Sequence, residues 1–226
     1  MKHGLQALRR AWMLYHLADP HFAFMYDDPP ADEWVAIDCE TTGLDVRHDE
    51  IVSIGAVRIA GNRLLTSQRL ELLVRPERSL KVASMRVHRL RERDVAQGLP
   101  PQQAMRQLLD FIGSRPLVGY YLEFDVAMIN REIWPMLGVR LPQRKIEVSA
   151  MYYDHKLHQM PAHARGEQVI DLRFATLMNE LALPMRAAHD ALNDAVMAGL
   201  AFVKLRNLSA DASLRPPACG LRARQV

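Results

Sequence analysis

Hydrophobic and polar positions divide the chain into two parts with different periodicity. Trp34-Val35-Ala36-Ile37 runs apolar into Asp38-Cys39-Glu40 and predicts a strand over Trp34–Glu40. Ile51 to Ile59 is β-branched and nearly continuous, and Gly61-Asn62 after it predicts a turn. Arg69–Val74 predicts a third strand, stopped by Pro76. These three suggest an antiparallel meander. Helical spacing follows: Met105, Leu108, Leu109 and Ile112 recur behind Pro101, which stands where a first helical residue would. Pro116–Tyr120 predicts a short buried strand, Phe124–Leu137 a helix with a kink or stop near Pro135, and Lys145–Ser149 another strand. Leu172–Leu181 and Asp190–Leu205 predict helices. The second carries Ala191, Leu192, Ala195, Val196, Leu200 and Val203 as its apolar stripe. A meander followed by alternating strands and helices implies an α/β domain with a mixed sheet and helices on both faces.

Outside that pattern lie two ends. Residues 1–28 read as a helical segment closed by Asp27-Asp28-Pro29-Pro30, a stiff joint before the first core strand. The tail from Ser209, with Pro216-Pro217, reads as weakly ordered. The expected division is therefore an extension over 1–33, one domain over 34–208 and a tail over 209–226.

Composition narrows the class without choosing a function. The 226 residues suffice for one sizeable core, and no apolar run is long enough to span a bilayer. His16, Asp19, Pro20 and His21 break the apolar N-terminal stretch, so no signal peptide is expected. Cys39 and Cys219 are too few for a disulfide framework or a thiolate zinc site, which fits a cytoplasmic setting. A net charge of +3 permits a nucleic-acid partner without demanding one. The basic run Arg86–Arg93 reads equally as a phosphate contact or a solvated helix face.

Candidate chemistry begins at Asp38-Cys39-Glu40. Alternation along a strand puts the Asp38 and Glu40 side chains on one side and Ile37 and Cys39 on the other. Two adjacent carboxylates repel, and a hard divalent cation removes the conflict. Asp125 stands where a strand gives way to a helix, and Asp194 near the start of the last long helix. His189 precedes Asp194 by five residues, roughly 140° away on an ideal helix. The two share a site only if His189 lies on the loop entering the helix.

In order, Asp38-Cys39-Glu40-Thr41-Thr42-Gly43, Phe124-Asp125 and His189-x4-Asp194 resemble the three motifs of the DEDDh family of 3′→5′ exonucleases. This branch of the ribonuclease H-like superfamily includes the proofreading epsilon subunit of bacterial replicative DNA polymerase. The similarity covers about residues 34–205 and extends to Asp49–Val57 and to Val87-His88. It implies a ribonuclease H-like mixed five-stranded sheet. It implies that Asp38, Glu40, Asp125 and Asp194 hold two Mg²⁺ or Mn²⁺ ions, with Asp38 bridging both. Glu40 and Asp194 would complete the ion carrying the attacking water and Asp125 the other, with His189 as general base. The implied substrate is nucleic acid with a free 3′ end, taken as single-stranded DNA and shortened to nucleoside 5′-monophosphates. Thr41, Thr42 and Leu44 would touch the terminal nucleotide. Where many members carry His-Asn this chain has Tyr120-Tyr121, and Tyr121 reads either as a ring for stacking on a base or as a buried structural tyrosine.

Blander readings apply elsewhere. Asp190 reads as a helix cap, His155, His158 and His163 have irregular spacing that does not suggest zinc, and the methionines read as core filler. Two rival functions stand beside the first. One is an RNA-trimming or short-oligonucleotide exonuclease, since the motifs do not separate ribose from deoxyribose. The other is a binding or scaffolding module attached to a DNA polymerase, with Trp12, Leu14, Leu17, Phe22 and Phe24 either as anchor or packed on the core.

Overall fold

Strand β1 (Glu33–Thr41) is the middle of a five-stranded sheet and carries the candidate residues Asp38 and Glu40 toward its carboxyl end. Strands β2 (Ile51–Ala60) and β3 (Arg63–Leu73) follow it as an antiparallel meander. Their connection turns at Gly61, whose φ of +57° suits a residue without Cβ. Strand β3 starts earlier than its apolar pattern suggests, because pairing resumes beyond a register shift at Val57/Arg58 and runs back to Ala60↔Arg63. Strands β4 (Leu117–Gly119) and β5 (Lys145–Glu147) then add in parallel on the other side, giving the order β3-β2-β1-β4-β5. In this computed structural model residues 2–78, 84–85, 89–161, 169–187 and 189–214 are described. Val87-His88, the centre of the basic run, His163 and the chain beyond 214 lie outside them.

Alternation along β1 divides the core in two. Val35, Ile37 and Cys39 face one layer, with Ile54 and Ala56 of β2. That layer holds α1 (Lys2–His16), a 3₁₀ turn (Pro20–Tyr26), α3 (Pro101–Ile112) and α4 (Leu122–Leu137). A four-residue helix, α2 (Glu92–Val95), packs Val95 beside Val52. Ala36 faces the other layer with Val57 and Ile59. That layer is built from α5 (Val148–Gln159), α6 (Phe174–Glu180) and α7 (Ala191–Leu214).

Several elements differ from expectation for local reasons. Of the kink or stop expected near Pro135, the stop does not occur: α4 runs on and closes at Gly138 with φ +65° and a Gly138 N–H to Trp134 C=O bond. The strand read over Lys145–Ser149 gives way at Val148 to α5. The N-terminal apolar residues divide their duties. Leu17, Phe22 and Met25 are buried and Leu14 and Phe24 pack against them, whereas Leu8, Trp12 and Tyr15 point outward. No helix among the described residues is long and apolar enough to cross a membrane.

Candidate active site

Strand β4 is short, and that shortness opens the site. Val35 N–H donates to Pro116 C=O, so odd-numbered residues of β1 turn their N–H groups toward β4. Parallel pairing is recorded only at Val35↔Leu117 and Ala36↔Val118. Beyond them Cys39 N–H needs another acceptor, and Asp125 Oδ1 fills that place at 3.0 Å. Asp125 comes from the first turn of α4 and is buried. It therefore reaches the end of β1 from the layer opposite to the one Asp38 and Glu40 face.

The start of α4 is itself held by Glu147. Tyr121, the residue before the helix, is left-handed at φ +55° and offers no side-chain cap. Glu147, paired with Gly119 across β4 and β5, accepts from Tyr121 N–H at 3.1 Å and Leu122 N–H at 2.9 Å. It also accepts from the Ser149 N–H and hydroxyl, capping α5. One carboxylate thus satisfies the exposed amides of two helices. Tyr121 is left 67% exposed above this cap, while Tyr120 stacks on Phe174 and donates to Leu172 C=O.

On the other layer, Gly55 brings in the third element. It lies directly opposite Asp38 in the β1–β2 ladder. A Cβ there would come within 2.2 Å of the Ala191 carbonyl carbon and the Leu192 nitrogen. The first turn of α7 therefore rests on the bare backbone of β2 beside Asp38. Asp190 caps that turn, with Oδ1 accepting from Asn193 N–H, as expected from its position. His189 precedes the helix at φ +63°, and its N–H donates to Asp194 Oδ2 at 3.0 Å. A ligand atom from each of Glu40, His189 and Asp194 lies within 4.8 Å of the others.

Electrostatics ties Asp38 and Asp125 to that group. Burial raises the Asp38 carboxyl well above the carboxylate range, and the charges of Asp125, Asp194, Glu40 and Asp190 add to the shift. Burial, then Asp194 and Asp190, lifts Glu40 from 4.5 to about 7. Asp125 rises from 3.8 to about 8, because burial outweighs the hydrogen bonds from Cys39. Asp194 is raised by burial against the opposing bond from His189 N–H. Asp190, read from the sequence as a cap alone, also contributes to the negative field.

A divalent cation fits this donor set. Its oxygens are hard ligands, its charges are uncompensated, and Asp194 Oδ1 is buried without a hydrogen-bond partner. The remaining sequence candidates lie on the loop leaving β1. Leu44 is 85% exposed. Thr41 donates its hydroxyl to Gly43 C=O at 2.6 Å. Thr42 is buried, donating to Asp49 Oδ1 and accepting from Glu50 N–H. Gly55 and Glu147 carried no signal as site residues in the sequence, because each acts through a neighbour distant in the chain.

A family model described as Exonuclease matches residues 35–202, which spans all five of these acidic and histidine positions. The chain belongs to this exonuclease family. Among its relatives is a DNA polymerase III subunit epsilon-like protein of Rhodobacter capsulatus, 29% identical over 184 residues. That match covers 79% of this chain and only 24% of the longer relative. An oligoribonuclease of Cutibacterium acnes is 27% identical over 130 residues, covering 52% of this chain and 64% of the relative. Exonuclease X, solved with 5′-overhanging duplex DNA, superposes with a TM-score of 0.59 at 21% identity. It is covered to 93% by 78% of this exonuclease chain, a likeness of fold. The ribonuclease H-like mixed sheet expected from the sequence is thus the observed one.

Proposed function

We propose that this exonuclease is a cation-dependent 3′→5′ enzyme that shortens DNA strands from their 3′ ends, releasing nucleoside 5′-monophosphates. The observation that carries the reading is the convergence of Asp38, Glu40, Asp125 and Asp194 with His189 at the carboxyl end of β1. These four carboxylates would hold two Mg²⁺ or Mn²⁺ ions. Such ions, when bound, lower the pKa of water and neutralise charge on the phosphoryl oxygens. His189, whose ring nitrogen lies within 4.8 Å of carboxylate oxygens of Glu40 and Asp194, would act as general base. Its bond to Asp194 Oδ2 runs through the backbone N–H and does not engage the ring. Thr41 and Leu44 would contact the terminal nucleotide, with Thr42 shaping their loop from within. Tyr121 offers an exposed ring for a base.

The relatives favour two extensions. Epsilon-like proteins point to DNA and to a DNA polymerase partner. The oligoribonuclease supports a second reading, an enzyme acting on short RNA. Digestion of matched 5′-labelled DNA and RNA strands with Mn²⁺ separates them. A ladder shortening one nucleotide at a time from the 3′ end of DNA is expected. Full-length label retained on both strands, or label released at once as a mononucleotide, contradicts the reading.

A further inference from the structure

The loop between β1 and β2 is built around Asp49. Its Oδ1 accepts from the Thr42 hydroxyl at 3.1 Å and its Oδ2 from Asp45 N–H at 2.9 Å. Thr42 N–H donates to Glu50 C=O, and Glu50 N–H returns to Thr42 Oγ1, both at 2.9 Å. Gly43 is needed here, because a Cβ would meet the Asp49 carboxylate at 2.4 Å. The loop therefore closes on itself, yet these bonds leave open how it sits against the rest of the molecule.

Arg78, beyond β3, holds the far end of the loop, its Nη1 donating to His48 C=O at 3.3 Å and its N–H to Glu50 Oε2 at 3.2 Å. Arg131 attaches the loop to α4. It lies on α4 and is half-buried, and its Nη1 donates to Val46 C=O at 2.8 Å and to Asp49 C=O. Glu132 accepts from its Nε and Nη2 and fixes the guanidinium plane. Six residues earlier on the same helix, Asp125 holds Cys39 N–H. Helix α4 thus grips the end of β1 at two places, once at the acidic cluster and once at the loop beyond it.

We propose that Arg131 is a positioning residue for substrate: it clamps the Thr42–Glu50 loop to α4 and so fixes the exposed Leu44 on the loop that leaves β1. The proposal rests on the exonuclease reading above. Two kinds of support separate its effect from that of the acids. Asp38 and Glu40 are held by the β1–β2 ladder, which keeps register to Glu40↔Ser53 and shifts only between Glu40 and Thr41. The loop starts at that shift, and its hydrogen bonds to α4 come from Arg131. Freeing it loosens what touches the nucleotide and leaves the carboxylates in place. The planar guanidinium reaches two carbonyls at once, and a lysine ammonium on its flexible stem is a poorer substitute.

The test compares Arg131→Met and Arg131→Lys with the intact chain in three assays. These are steady-state release from labelled single-stranded DNA, trypsin cleavage after exposed Arg47 in the loop, and the rise in melting temperature with Mn²⁺. In Arg131→Met, KM is expected to rise about tenfold with kcat within about twofold of the parent. Cleavage at Arg47 is expected to accelerate, and the Mn²⁺ shift to persist. Arg131→Lys is expected to fall between, and it decides the matter if Arg131→Met does not fold. Unchanged KM, or a loss confined to kcat, overturns the proposal. So does unchanged cleavage at Arg47. If the parent chain releases no nucleotide, the functional reading fails, and the trypsin and Mn²⁺ assays still judge the clamp.

Discussion

Burial and four neighbouring acids hold the Asp38 carboxyl well above its ordinary value, and Glu40 and Asp125 are raised with it. The consequence for stability has a definite sign. Unfolded, Glu40 loses its proton near 4.5; folded, it keeps it to about 7. Across that interval the unfolded chain binds fewer protons, so stability falls as pH rises, and Asp125 extends the fall to about 8. The metal-free protein is expected to melt at a higher temperature at pH 5 than at pH 8. Asp38→Asn removes one charge from the cluster. It is therefore expected to raise the metal-free melting temperature at pH 8 while abolishing activity. Differential scanning fluorimetry in EDTA checks the melting behaviour, and nucleotide release with Mn²⁺ checks the activity. A flat profile from pH 5 to 8, or a lower melting temperature for Asp38→Asn at pH 8, contradicts the electrostatic account.

Three elements meet at the cluster, and two non-catalytic residues set their approach. Glu147 fixes the start of α4 through Tyr121 and Leu122 N–H. Gly55 lets the first turn of α7 lie against β2. Gly55→Ala would press a methyl group into the Ala191–Leu192 peptide, whose backbone has no flexible end to yield. A destabilisation of about 1–3 kcal/mol is expected by urea denaturation. The displaced α7 would also carry Asp194 away, so a weaker Mn²⁺ stabilisation is expected in the same variant. An unaltered urea midpoint would refute this role for Gly55. At this scale the sequence was legible where period alone decides. The shared face of Asp38 and Glu40 and the antiparallel meander follow from alternation. The α7 stripe was legible in part: Ala191, Ala195 and Val196 are buried, but Leu192, Leu200 and Val203 are half-buried, and the buried Met197, Ala201 and Phe202 lay outside it. Helix α5 was not legible, since polar residues and histidines dilute its buried positions Val148 and Tyr152. Nor was the Asp125–Cys39 bond, which depends on where β4 ends. Both are tertiary facts that a linear pattern does not encode.

Across the whole molecule, the N-terminal extension belongs to the packing of the exonuclease core. Leu17, Phe22 and Met25 are buried with residues of α3 and α4, and Arg106 stacks over Phe22. Phe22→Ala is accordingly expected to cost about 3–5 kcal/mol, read by urea denaturation. The outward residues of α1 behave differently. Trp12 is 60% exposed, and Trp12→Glu is expected to leave the melting temperature unchanged. If the polymerase partner proposed from the relatives uses this face, Trp12→Glu should also abolish co-elution with a DNA polymerase III catalytic subunit. Co-elution undiminished by that change would place the contact elsewhere.

Everything proposed for activity depends on the cluster at the end of β1 taking up divalent cations. Electron paramagnetic resonance of free Mn²⁺, titrated against the intact chain and its Asp38→Asn and Asp194→Asn variants, measures this directly. Saturable binding to the parent chain, lost or weakened at least tenfold in both variants, is the predicted result. Mn²⁺ binding of equal strength in all three proteins, or none in the parent, would contradict it.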